Sequence, residues 1–241
     1  MDTLFSRHKL VALQFSAGKD SAACLKLLQP WLEQVVVIWG NSGDAYPETL
    51  RYMERVRESV PHFIEAKGQQ PAYVRTWGYP SELPPFAGTR LGKAAGRRGG
   101  PFVSSVSACC WNNLWGPVLA ATKSSGATAL VRGDKAVDVP RSIVEPGTIQ
   151  DGLEIVYPLY KWSDADVLGF VGADLPESYA RGLTSSLDCR TCTAYLSHNG
   201  GRLRDLATAD PAAHAEIAPV LLWLRQETAR HLTYLDEVLR D

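Results

Sequence analysis

The chain has 241 residues, 45% of them hydrophobic, with 25 Lys and Arg against 26 Asp and Glu and a formal net charge of −1. That length supports a substantial buried core, and the near-neutral balance excludes a polybasic nucleic-acid coat or a highly charged disordered tail, so any anion binding is local. No apolar stretch approaches the roughly 18–20 residues of a membrane span, and the start MDTLFSRHKL lacks the apolar core of a secretory signal, which predicts a cytoplasmic chain with no membrane partner.

The first apolar run, KLVALQF (Lys9–Phe15), reads as a strand; the polar turn SAGKDS (Ser16–Ser21) follows, and a helix begins at about Asp20. QVVVIW (Gln34–Trp39) reads as a second strand, followed by a helix opened by Pro47 at a first-turn position and a third short strand, HFIEA. The stretch from Lys67 to Ser107 is rich in Gly and Pro and reads as a lid or mobile loop. Arg75, Arg90, Lys93, Arg97 and Arg98 face the single acid Glu82 there, which suits either a solvated surface loop or a flap over a polyanion.

NNLWGPVLAATKSS then reads as a helix, ATALVRG and LEIVYPL as strands, and SDADVLGFV as a helix capped by Ser163, with Asp166 where a capping box carries Glu or Gln. From Pro211 onward, Ile217, Val220, Leu221, Leu224, Leu232, Leu235, Val238 and Leu239 recur at helical spacing, which predicts core packing first and subunit contact in a homodimer second. The alternation predicts an α/β fold: a doubly wound, mostly parallel sheet of five or six strands with helices on both faces, over residues 1–206, and a C-terminal helical segment over 207–241.

The turn SAGKDS joins a strand to a helix N-terminus. Gly18 admits a close backbone approach, Ser16 and Ser21 offer hydroxyls and Lys19 a positive charge, so an anion is favoured. An ordinary phosphate loop needs Gly five residues before the Gly-Lys pair and Ser or Thr after it; Leu13 and Asp20 stand there instead. A tight turn with Asp20 as helix cap is the structural alternative.

FSAGKDSAACL resembles the SGGKDS pyrophosphate loop of the adenine nucleotide alpha hydrolases, with Ala17 at a usual glycine. WGNSGDAYPET, VRGDKAVDVPRS, VYPLYKWSDADVLGFV and LPESYARGLTSSLDCRTCT follow in the order of the phosphoadenosine phosphosulfate (PAPS) reductase branch, so the resemblance spans about residues 9 to 196. It implies a nucleotide held at the carboxyl ends of the strands. Ser16, Ala17, Gly18, Lys19, Asp20 and Ser21 would then form the phosphate loop, Asn41 and Ser42 would lie near adenine or ribose, and Arg132 and Arg141 would clamp phosphate or sulfate.

Five cysteines fall into two close pairs and a singlet, which in a reducing compartment suggests metal or redox chemistry rather than disulfides. Cys109 and Cys110 with Cys189 and Cys192 resemble the CC…CxxC set of APS-type reductases, which implies a [4Fe-4S] cluster; zinc is the alternative, disfavoured by adjacent ligands. Cys24, on the first helix after the loop, reads as a buried small hydrophobe.

Two departures separate this chain from the simple reductases. No Cys follows Cys192, where a reductase carries its nucleophile, and Lys19 is retained, as in family members that cleave ATP between the α and β phosphates. The leading expectation is therefore ATP cleavage to AMP and pyrophosphate coupled to sulfur transfer onto a nucleic-acid or small-molecule acceptor. Lys19, Asp20, Arg132 and Arg141 would act on the phosphates, with Mg²⁺ accompanying ATP. The alternatives are a PAPS or APS reductase using an external thiol donor and a non-catalytic nucleotide-binding and cluster-binding subunit.

Overall fold

The computed structural model describes every residue except 98, 139–143, 184–186 and 241, and residues 198–200 by their backbone alone. The helices are α1 (Asp2–Arg7), α2 (Lys19–Leu27), α3 (Pro47–Ser59), α4 (Gln70–Trp77), α5 (Arg90–Ala94), α6 (Val106–Cys110), α7 (Gly116–Ser124), α8 (Asp164–Val171), α9 (Glu177–Ala180), α10 (Leu196–Ala209) and α11 (Pro211–Val238). The strands are β1 (Val11–Phe15), β2 (Val35–Asn41), β3 (His62–Lys67), β4 (Tyr79–Ser81), β5 (Val103–Ser105), β6 (Ala129–Val131), β7 (Ile149–Gln150) and β8 (Leu153–Val156). They form two compact units, Met1–Gly68 with Leu114–Asp188 and Gln69–Asn113 with Cys189–Asp241. Residues 207–241 therefore cluster with 69–113 and 189–206.

The first unit is built on a six-stranded sheet of order β3-β2-β1-β6-β8-β7, parallel except for the short edge strand β7. Val11 pairs with Val35 on one side and Ala129 on the other. Strand period sorts the side chains: Val11, Leu13, Phe15, Val35, Val37 and Trp39 enter one core with residues of α2, α3 and α8. Ala12, Val36 and Ile38 enter a second core with Val118 of α7. Helices thus cover both faces, and β1 and β2 read as continuous apolar runs because both of their faces are buried. A Cβ on Gly40 would come within 2.8 Å of Val118, so glycine lets α7 lie close on β2.

Several local signals hold in detail. Pro47 stands in the first turn of α3, where its missing N–H costs nothing. Ser163 and Asp166 close a reciprocal capping box at α8, Asp doing what Glu or Gln usually does. Helix α2 is capped by Gly18, not Asp20, which lies inside its first turn.

In the second unit, β4 and β5 form a two-stranded parallel sheet, and Thr89 and Ser105 cap the short helices α5 and α6. The stretch 67–107 is thus a set of short ordered elements rather than one long loop; three-residue strands are too brief to leave a periodic signal. Helix α11 buries Ala213, Ile217, Val220 and Leu224, but Leu232, Leu235, Val238 and Leu239 are exposed, so core packing accounts only for its first half. No described helix is long and apolar enough to cross a membrane.

Candidate functional site

Strand order reverses beside β1, which pairs with β2 on one side and β6 on the other. The carboxyl ends of β1 and β6 therefore flank a topological switch point, where open α/β sheets receive ligands. Loop 16–18 leaves β1 and enters α2 there, while 132–138 leaves β6. Gly133 packs against the start of α2: a Cβ on it would lie 2.9 Å from the Asp20 carbonyl carbon.

The loop is organised by its own hydroxyls. Ser21 Oγ donates to the Gly18 carbonyl at 2.9 Å and accepts from the Ser16 N–H at 3.3 Å, while the Gly18 N–H donates to Ser16 Oγ at 3.4 Å. Ala17 is buried and takes φ 59°, the left-handed region that favours glycine. The Lys19 N–H, at the mouth of α2, donates to the Tyr179 hydroxyl at 2.8 Å.

Charges converge at this helix end. Lys19 Nζ lies 2.8 Å from Asp20 and 2.9 Å from Asp164, the first residue of α8. Lys135 Nζ, buried, lies 2.7 Å from Asp20, 3.1 Å from Asp138 and 3.2 Å from Asp164. Burial opposes the Lys135 charge, but hydrogen bonds and attraction from Asp20 and Asp138 outweigh it and raise its pKa. The hydrogen bond from Lys19 does most to hold the Asp164 carboxyl below its ordinary range; burial opposes it, and the hydrogen bond from Lys135 adds to the lowering. Two ammonium groups and three carboxylates thus meet at an anion-favouring helix terminus. Such a cluster suits phosphate oxygens on its cationic side and a hard divalent cation on its carboxylate side.

The expected residues divide. Ser16, Ala17, Gly18, Lys19, Asp20 and Ser21 are brought together. Arg132 is engaged by Asp134 at 2.9 Å rather than by the lysine cluster. Asn41 bonds Glu65 at 2.7 Å, and Ser42 is buried with its hydroxyl donating to the Asp188 carbonyl at 2.6 Å, so the Ser42 side chain serves the fold. Arg141 and Arg98 lie outside the described residues. Lys135, Asp138, Asp164 and Tyr179 were not singled out from sequence, although all four lie in the segments VRGDKAVDVPRS, VYPLYKWSDADVLGFV and LPESYARGLTSSLDCRTCT.

The four paired cysteines all belong to the second unit. Cys109 and Cys192 are buried, and Cys110 and Cys189 half-buried. Burial pushes the Cys109 thiol up to about 12, with Cys110 and Cys192 adding to the effect, so these three sulfurs lie within electrostatic reach of one another. The buried Arg202 guanidinium donates to the carbonyls of Cys189 at 2.7 Å and Cys192 at 2.9 Å, which fixes the CxxC turn. Among the described residues no three His, Cys, Asp or Glu side chains converge on one ion position. The donor set suits a polynuclear group with one thiolate per iron better than a single ion. Cys24 is fully buried, and burial raises its pKa well above the ordinary thiol range, as befits a core residue.

Residues 10–81 match the family model of the phosphoadenosine phosphosulfate reductase domain. No curated protein matches the chain. Among solved structures, a PAPS reductase from Candida auris in a phosphate complex is similar at 17% identity over 73% of this chain and 80% of that one, with a TM-score of 0.49. An NH3-dependent NAD synthetase from Campylobacter jejuni in complex with nitrate is similar at 12% identity over 94% and 90%, with a TM-score of 0.45. A U34-tRNA thiolase from Methanococcus maripaludis with its [4Fe-4S] cluster is similar at 14% identity over 90% and 72%, with a TM-score of 0.39.

Proposed function

We propose that the chain is an adenine-nucleotide enzyme that cleaves ATP between the α and β phosphates and uses the adenylated product for sulfur transfer. The observation that carries this reading is the meeting of Lys19 and Lys135 with Asp20 and Asp164 at the N-terminus of α2. A sulfonucleotide has no pyrophosphate leaving group for two lysines to neutralise, whereas ATP has one. In the proposed reaction an acceptor oxygen attacks the α phosphorus, the bond to the β phosphate breaks, and pyrophosphate leaves against Lys19 and Lys135. Sulfide then displaces AMP together with the activated oxygen. Asp20 and Asp164 are the candidate ligands of the Mg²⁺ that accompanies ATP. Ser16, Gly18 and Ser21 would orient the phosphates through loop amides and hydroxyls, and Arg132, once released from Asp134, could meet a further phosphate oxygen.

Cys109, Cys110, Cys189 and Cys192 are the proposed ligands of a [4Fe-4S] cluster, which when bound would hold or relay sulfide. A reducing, cytoplasmic setting is part of this reading, because thiolate ligands require reduced cysteines. A PAPS or APS reductase drawing on an external thiol is the second reading, favoured by the match of residues 10–81 to the PAPS reductase domain. Anaerobic purification with iron and sulfide analysis, then binding and turnover with ATP, APS and PAPS, separates the two. AMP and pyrophosphate from ATP are expected. Sulfite release and tighter binding of PAPS or APS than of ATP would replace the first reading with the second, and nucleotide binding without turnover would leave a binding subunit.

A further inference from the structure

The second unit holds an open cleft of about 970 Å³ between residues 83–87, 96, 97 and 99 and helix α11. Phe86, Trp223 and Tyr234 line it together with Arg97, Arg230 and His231. Its volume stands at the top of the roughly 300–1,000 Å³ range of small-ligand clefts. The indole of Trp223 is set in place by glycines: a Cβ on Gly88 or Gly100 would come within 2.6 or 2.1 Å of it. Phe86 and Tyr234 are half-exposed or more and present aromatic surface to solvent. Arg230 is exposed, and its pairing with Glu227 at 3.0 Å engages one nitrogen of the guanidinium fork. Arg97 brings a further guanidinium to the opposite wall, and Glu227 is the acid that lines the cleft.

We infer that this cleft binds a single-stranded nucleic-acid segment, with bases stacked on Phe86, Trp223 and Tyr234 and phosphates met by Arg97, Arg230 and His231. Aromatic side chains and guanidinium groups lining one open groove match the chemistry of an unpaired strand, whose bases each offer a π-face and whose backbone carries one charge per nucleotide. A paired duplex hides its base faces and would engage the cations alone. A nucleic-acid chain is thereby named as the sulfur acceptor, an identification that rests on the sulfur-transfer reading; the binding itself does not.

The test is fluorescence anisotropy of the full chain, without ATP, against fluorescein-labelled ten-nucleotide oligo-dT and oligo-U and a duplex of equal length. Both single strands, or one of them, bind more tightly than the duplex, and log affinity falls with log salt by about 0.7 per phosphate contacted. Phe86→Ala and Tyr234→Ala, at exposed positions that leave the fold intact, each weaken binding roughly five- to 150-fold. Arg97→Glu with Arg230→Glu reduces the salt slope. Binding that prefers duplex, ignores the aromatic substitutions or is absent overturns the inference, as does a dimer that dissociates when Tyr234 is changed. Pyrophosphate release from ATP is measured on the same protein: turnover without oligonucleotide binding removes the cleft proposal alone, and oligonucleotide binding without turnover removes the ATP reading alone.

Discussion

The buried ammonium of Lys135 lies 2.7 Å from Asp20 Oδ1, so a residue on the loop after β6 fixes a carboxylate in the first turn of α2. Removing one partner of a fully buried pair costs about 3–5 kcal/mol, but Asp20 also keeps Lys19 at 2.8 Å and touches solvent. Lys135→Met is therefore expected to lower unfolding stability by about 2 kcal/mol in urea titrations. It should also weaken ATP or inorganic pyrophosphate binding by about tenfold in calorimetry, equivalent to one lost charge contact. Unchanged affinity with reduced stability would make Lys135 purely structural.

Gly133→Ala probes the same junction sterically. The new Cβ would stand 2.9 Å from the carbonyl carbon of Asp20, and backbone yields less readily than a flexible side chain. A cost of about 1–3 kcal/mol is expected from this overpacking, with weaker nucleotide binding because the first turn of α2 is displaced. Denaturation midpoints and ATP titration of the variant check both.

How far the sequence disclosed this arrangement depends on the range of the signal. The apolar run of β1, Val11 to Phe15, and the capping box at Ser163 are local, and both predict the elements found. Lys135 was missed because its importance arises from a partner 115 residues away, and nothing in VRGDKAVD distinguishes a lysine aimed at α2 from one aimed at water. Arg132 drew attention by type alone, yet its nearest carboxylate is Asp134, two residues on. The long Gly- and Pro-rich stretch concealed β4, β5 and α5 because elements of three to five residues complete less than one useful period. Likewise, the spacing of Leu232 and Leu235 reports a helix but not whether anything covers it.

Ala17 stands at φ 59° where the resembling loops carry glycine. Left-handed strain costs an alanine about 1–2 kcal/mol, but glycine forfeits about 0.5–1 kcal/mol in backbone entropy and about 0.8 kcal/mol for the buried methyl. These effects nearly cancel, so Ala17→Gly is expected to fall within about 0.5 kcal/mol of the parent. Ala17→Val, β-branched in the same backbone region, should be destabilised by more than about 2 kcal/mol. Thermal and urea unfolding of the pair measure the contrast.

Alkaline pH should act through Tyr52 and Tyr179. Burial pushes both hydroxyls up to about 12; Asp174 adds to the effect for Tyr52, whereas for Tyr179 the Lys19 N–H opposes it and Asp20 adds to it. A group whose pKa is raised on folding contributes stability that is complete below its unfolded value, near 10, and is lost as pH rises through the folded one. Urea midpoints are expected to hold up to about pH 10 and to fall between about 10 and 12, with less decline in Tyr179→Phe. Tyr179→Phe also leaves the Lys19 N–H without its acceptor and should cost about 1 kcal/mol at neutral pH.

Arg202 offers the sharpest test of the cysteine site. Its guanidinium, 5% exposed, donates to the carbonyls of Cys189, Cys192 and Ala194, so one side chain closes the turn that carries half of the candidate ligands. Arg202→Met preserves an apolar stem but strands buried carbonyls at about 1–3 kcal/mol each, and a loss of about 3 kcal/mol is expected overall. The cysteines must become thiolates to bind iron, a step that burial of Cys109 already opposes; a CxxC turn that loses its shape adds to that cost. After anaerobic reconstitution, Arg202→Met should therefore retain less than half the iron and acid-labile sulfide of the parent chain. Arg202→Lys, which restores the charge but not the planar fork, should recover iron only in part. Full iron content in Arg202→Met would mean that the CxxC turn holds its shape without the guanidinium, and would separate the stability role of Arg202 from any role in ligand positioning.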